Sequence, residues 1–288
     1  MKKIIIFICI CLPYFIQAQT NTYKQAVVYT TTNIIAPEED DMDNNQDNQR
    51  GGMNFRNMMD GETKFITYLK DEKTKISVKS DVVKATIYRD NESKITTSIV
   101  EMMGNKNGFF ITDAEQEEMQ KKRDSMMAER RKKDTTSKIG MHIETAKSSS
   151  EISYTNETKK IAGYECKKAY VISSRFPGIK DSAIIWYTNA FKLYNINSTG
   201  GFSNLPMMSN MVPMLNGLEK LDGFVLRYEI KMRRNRKLEA EVTKIELNKE
   251  LNTNEFKIPS DIEIKPMKEM RMMFGGPRGG GEFMRPRD

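Results

Sequence analysis

Phe224-Val225-Leu226-Arg227-Tyr228-Glu229-Ile230-Lys231-Met232 places an apolar side chain at every second position, with Arg227, Glu229 and Lys231 among the residues between. A period of two with one greasy and one charged face is the pattern of a strand in an antiparallel sheet that is wet on one side. The next run, Leu238 to Leu247, alternates likewise, but its apolar phase moves from Leu238, Ala240 and Val242 to Ile245 and Leu247. A one-residue shift of that kind predicts a bulge near Thr243-Lys244, and bulges bend sheets.

Outward from this pair, β-branched and aromatic runs recur at Tyr23–Thr32, Thr63–Leu69, Thr74–Val78, Val82–Tyr88, Lys94–Val100, Ile152–Thr155, Tyr164–Ser173 and Ala183–Thr188. Turn chemistry such as Asp71-Glu72 and Asp90-Asn91 separates them. Thr112 to Asp134 reads instead as a helix. Thr112 and Glu115 have capping-box spacing, acids fill the first turns and Arg130 to Lys133 the last. With no βαβ alternation and no phosphate-binding glycine loop, the expected class is mainly β. The expected architecture is a curved antiparallel half-barrel of about ten strands with one long lid-like helix.

Domain limits follow from composition. Residues 1–18 combine Lys2 and Lys3 with a short apolar core, which predicts a cleaved signal peptide and an exported protein of the periplasm or outer envelope, or a secreted one. Residues 19–268 read as a single β-rich domain carrying a polar insertion at 36–62 and the helix at 112–134. Residues 269–288, rich in Gly, Arg and Met, read as a tail. Beyond the leader Cys166 is the one cysteine, so no internal disulfide is expected, and its strand setting reads as a small buried side chain.

The segment Thr158-Lys159-Lys160-Ile161-Ala162-Gly163-Tyr164-Glu165-Cys166-Lys167-Lys168-Ala169, followed by Ile185-Trp186-Tyr187-Thr188 and by Gly223-Phe224-Val225-Leu226-Arg227-Tyr228-Glu229, resembles exported envelope proteins of the GLPGLI type and the related domain-of-unknown-function family 4412. Glu255-Phe256-Lys257-Ile258-Pro259 resembles the end of that domain. The resemblance implies a lipoprotein-carrier (LolA-like) fold, in which a curved sheet wraps a hydrophobic cavity. Val225 stands where that pattern has proline.

Enzyme motifs are scarce. His142 is the single histidine, and no metalloprotease, thiol-redox or serine-hydrolase motif is present, so the sequence reads as a non-catalytic protein without cofactor or metal site. The expected function is binding of a hydrophobic small molecule or lipoprotein acyl chain by Trp186, Phe224, Leu226, Tyr228 and Ile230, with Met207, Met211 and Met214 on a covering loop. Two alternatives stand beside it. One is an envelope scaffold with a self-filled core. The other is methionine-dependent copper binding, since Met208, Met211 and Met214, or Met267, Met270 and Met273, bring three thioethers together. Lys231, Arg233, Arg234, Arg236 and Lys237 form a basic hairpin tip that reads as a solvated turn or as a contact for an anionic membrane surface. Without interleaved aromatics it does not read as a nucleic-acid site.

Overall fold

The computed structural model describes residues 21–35, 61–102, 104–134, 149–176, 179–196, 218, 221–231 and 236–269. The expected leader, nearly all of the insertion and tail, the loop bearing Met207, Met208, Met211 and Met214, and His142 lie outside the described residues.

Two meanders make one sheet. The first runs β2 (Gln25–Ile35), β3 (Gly61–Lys70), β4 (Lys73–Lys79), β5 (Val83–Asp90), β6 (Ile95–Met102) and β7 (Asn105–Thr112), each antiparallel to the one before. The second runs β8 (Ser149–Ile161), β9 (Tyr164–Phe176), β10 (Ile179–Thr188), β12 (Phe224–Lys231) and β13 (Lys237–Leu247). β13 pairs back onto β2 and fuses the two. With β14 (Ile264–Pro266) parallel to β7 at one edge, twelve strands form a single sheet whose ends, β14 and β8, do not meet. A separate parallel pair joins β1 (Asn21–Tyr23) to β11 (Phe191–Leu193). The molecule is thus mainly β, with one large, mostly antiparallel, unclosed sheet. It has more strands than the sequence suggested.

The bulge expected near Thr243 is present: the register of β13 on β2 slips between Val242 and Lys244. Leu238, Ala240, Val242, Ile245 and Leu247 therefore keep to one face despite their change of phase. A second slip occurs where β10 meets β12, between Trp186 and Tyr187.

On β2, Ala26, Val28, Thr30, Thr32 and Ile34 share a face. The register carries that face to Leu69, Thr67, Phe65 and Thr63 of β3, and all nine residues are buried. The apolar members join two clusters, one around Tyr228, Ile185 and Leu238 and one around Phe191, Phe224 and Leu226. Threonines supply much of the remainder, since a branched side chain suits the pleat and its hydroxyl can reach a neighbouring carbonyl; Thr32 Oγ1 donates to Thr63 O at 3.5 Å.

Helix α1 (Asp113–Asp134) starts where its cap predicts. Thr112 N donates to Glu115 Oε2 at 3.1 Å, and Glu115 N donates back to Thr112 Oγ1 at 3.2 Å. The side chains described along it are largely in solvent, Met126 included at 56% exposure. Such a helix depends on its cap and charge pattern rather than on a core.

After β13 the chain crosses the opposite face of the first meander. Lys70 Nζ donates to Leu251 O at 2.7 Å, and Lys75 Nζ meets Glu255 Oε2 at 3.0 Å. Gly108 lets this strap approach, since a Cβ there would collide with the Ile264 side chain.

Gly223 is a second close approach. A Cβ on it would stand 2.7 Å from Tyr187 Cδ2 and 2.8 Å from Thr188 O. Gly223→Ala is expected to lower stability by about 1–3 kcal/mol through overpacking. Urea denaturation checks it; an unchanged midpoint would refute the contact.

Candidate functional site

The outer face of the second meander gathers the charged side chains that alternate with the core. Lys168 of β9 lies opposite Trp186 of β10, Trp186 opposite Arg227 of β12, and Arg227 opposite Glu241 of β13. The adjoining row brings Glu229 opposite Glu239. Two carboxylates in direct cross-strand register repel unless a cation lies between them. Arg227 and Lys237 supply it.

Arg227 Nη1 donates to Glu241 Oε2 at 2.5 Å, while its Nε and Nη2 donate to Glu229 Oε1 at 3.0 and 2.8 Å. Lys237 Nζ lies 2.8 Å from Glu229 Oε2 and 2.5 Å from Glu239 Oε1. Beside this cluster the half-buried Trp186 ring has Lys168 Nζ at 5.8 Å and Lys159 Nζ at 5.9 Å from its centroid. Lys168 also pairs with Glu157 at 2.9 Å.

Partial burial pushes the Glu229 carboxyl upward, but hydrogen bonds from Lys237 and Arg227 outweigh it and hold the group below the ordinary carboxylate range. Lys237 is raised by its bonds to Glu229 and Glu239. Burial would lower Arg227, yet its bonds to Glu241 and Glu229 win and raise it. All three groups therefore stay ionised near neutrality. Glu229 then accepts hydrogen bonds and cannot donate one. An aromatic face next to fixed ionic donors and acceptors can stack a ring and orient hydroxyl groups around it.

A second ionic node anchors the helix. Arg89 donates to both carboxylate oxygens of Asp113, at 2.6 and 2.8 Å, and to Thr96 Oγ1 at 3.2 Å. The Arg89 hydrogen bonds hold the Asp113 carboxyl below its usual value. A depressed acid adds stability that is complete above its unfolded-state pKa of about 4 and is lost as pH falls through the folded value. Acid unfolding below about pH 4 should accordingly be shallower in Asp113→Asn than in the parent. An identical acid limb in both would remove the pair from the account.

The residues singled out in the sequence divide. Phe224, Leu226, Tyr228 and Ile230 are 2%, 1%, 2% and 5% exposed and pack within the two core clusters. They fill the interior instead of lining a vacant hollow. Two clefts of about 210 and 270 Å³ lie elsewhere, one at Gly108 and Glu263, the other at Tyr88, Asp90 and Phe256. Trp186 remains a site candidate, but its cross-strand neighbours are Lys168 and Arg227. Met207, Met211 and Met214 fall outside the described residues, as do Arg233 and Arg234 of the basic tip. Lys237 of that tip is occupied by Glu229 and Glu239. Cys166 is fully buried as expected, and burial pushes its thiol up to about 11. Sequence reasoning missed Arg227, Glu229, Glu239 and Glu241. Their signal was the opposite-charge alternation on two successive strands.

Residues 66–216 match the family described as N-glycanase peptide, N-terminal domain. Two solved structures of PNGF-II, in P21 and C2 crystal forms, are similar to the chain at 13% and 16% identity, each with a TM-score of 0.36. Each match covers 87% of this chain but only 33% and 32% of theirs, so the chain spans about a third of their length. No curated protein matches.

The family match over residues 66–216 overturns the resemblance to GLPGLI-type and family 4412 proteins and, with it, the LolA-like assignment. The quoted segment is a β8–β9 hairpin in which Ile161 and Cys166 are buried in one core cluster and Ala169 in the other, and buried positions on both faces occur in many packed hairpins. The expectations of a chain that is not an enzyme, and of a lipid or lipoprotein partner, fall too, because the matched family is named for a glycanase. With the family match spanning more than half of its residues, the chain belongs to the N-glycanase N-terminal-domain family.

Proposed function

We propose that the chain takes part in N-glycanase action on glycoproteins by holding the glycan against the outer face of the second meander. Trp186 would stack on a sugar ring. Glu229, Glu239 and Glu241 would accept hydrogen bonds from its hydroxyls, and Arg227 would keep the three carboxylates in place. The observation that carries this reading is the register itself, which sets the chain's single tryptophan, half-buried against the cluster of Phe191 and Leu226, between Lys168 and Arg227. Family membership supports the substrate class. The half-barrel curvature belongs to the same reading, with the slips at Trp186 and Val242 as its bending points.

Calorimetric titration with a neutral N-glycopeptide, alongside release of glycan from a denatured glycoprotein followed by mass spectrometry, tests the proposal. Binding that weakens about tenfold in Trp186→Ala, with release weakened in parallel, is the expected result. Glycopeptide binding undiminished by that substitution would reject the site.

A further inference from the structure

The row that holds Trp186 does not stop at β13. Glu241 lies opposite Thr31 of β2, Thr31 opposite Lys64 of β3, Lys64 opposite Lys79 of β4, and Lys79 opposite Lys84 of β5. Glu101 of β6 and Lys106 of β7 follow. Because facing residues of antiparallel neighbours point to the same side, Trp186 and the three lysines share one face.

Three ammonium groups stacked in direct cross-strand register are unfavourable for folding. Compensation is thin. Lys64 pairs with Glu62 at 3.0 Å and Lys84 with Glu101 at 3.4 Å, whereas Lys79 has no acidic partner among the described residues. Asp81 follows Lys79 by two residues in the β4–β5 turn, and Asp261 and Glu263 line a cleft with Lys106 at the far end of the row. Lys64 and Lys84 have 67% and 61% of their side-chain surface in water, and Lys79 is exposed too. Strands spaced about 4.8 Å apart put Lys64 four spacings from Trp186 and Lys84 six, so an oligosaccharide can lie along the row.

We infer that the Lys64–Lys79–Lys84 stripe extends the proposed glycan site and selects acidic glycans, whose sialyl carboxylates or sulfates sit over it while a neutral sugar occupies Trp186. The inference rests on the glycan reading of the Trp186 platform. Lysines acting as point charges on flexible stems suit an anion presented in varied orientations better than one fixed bidentate geometry. Charge complementarity names the occupant: Lys79 is an exposed cation with no acidic partner among the described residues and stands between two further exposed lysines, whereas Arg227 and Lys237 are held by three carboxylates.

The test compares neutral, sialylated and sulfated N-glycopeptides on the full chain and on Lys64→Gln/Lys79→Gln/Lys84→Gln, at low and high salt. The parent should bind one of the acidic forms at least tenfold more tightly than the neutral one at low salt, and lose most of that preference at high salt. The triple variant should lose the preference, keep its neutral-glycan affinity, and show an unchanged or higher urea midpoint as the repulsion is relieved. Which acidic form is preferred identifies the anion. Equal affinities for all three glycopeptides in the parent would overturn the inference while leaving the Trp186 site standing. No binding of any of them would overturn both. Tighter association with anionic phospholipid vesicles than with either acidic glycopeptide would also overturn it, in favour of a membrane surface.

Discussion

Tyr228→Ala is expected to destabilise the protein by about 3–5 kcal/mol, the range for deleting a fully buried aromatic ring. Tyr228 is 2% exposed and shares a cluster with Ile185, Val225, Ile230, Leu238 and Ala240. The loss combines the transfer energy of the ring with the cavity left behind, since neighbours held on paired strands relax little. Tyr228→Phe, which keeps the ring and leaves no cavity of that size, should cost far less. The contrast bears on what the interior is for. In a hollow kept open for a greasy guest, truncating a wall residue would only enlarge the space, at small cost. Chemical denaturation of the parent and both variants decides between a filled core and an open one.

Arg227→Ala should cost about 2 kcal/mol and abolish glycopeptide binding. Removing the guanidinium leaves Glu229, Glu239 and Glu241 on neighbouring strands with Lys237 as the nearest remaining cation. Outright loss of a buried ion's partner costs 3–5 kcal/mol, and the figure is reduced here because Arg227 keeps 22% of its side-chain surface in water and Glu241 keeps 40%. Arg227→Lys retains the charge but cannot reach Glu229 and Glu241 with a planar fork. It should recover most of the stability and little of the binding. Urea midpoints and calorimetric affinities for the three proteins check both parts. A wild-type affinity in Arg227→Lys would show that charge alone, without the fork, orders the carboxylates.

Local rules were readable where the deciding residues are neighbours in the chain. Thr112 and Glu115 start α1, and the phase change from Val242 to Ile245 marks a bulge, as their spacing indicates. β7 was hidden because Gly104-Asn105-Lys106-Asn107-Gly108 carries turn residues, although most of it pairs with β6. β11 and β14 are three residues each, too short for any period to emerge. The site was harder to see because its partners meet only through register. Lys168, Trp186, Arg227 and Glu241 stand on four strands, and no rule of spacing foretells which residues will face one another. The alternation in Phe224–Lys231 showed which side chains turn outward, but not what lies beside them.

The most direct test uses the chain's one indole as its own reporter. With Trp186 set between Lys168 and Arg227, emission excited at the tryptophan band should shift in a saturable way as neutral N-glycopeptide is added, and should respond much less to the matching unglycosylated peptide. A folded protein whose emission is indifferent to the glycopeptide throughout the titration would contradict glycan recognition on this face.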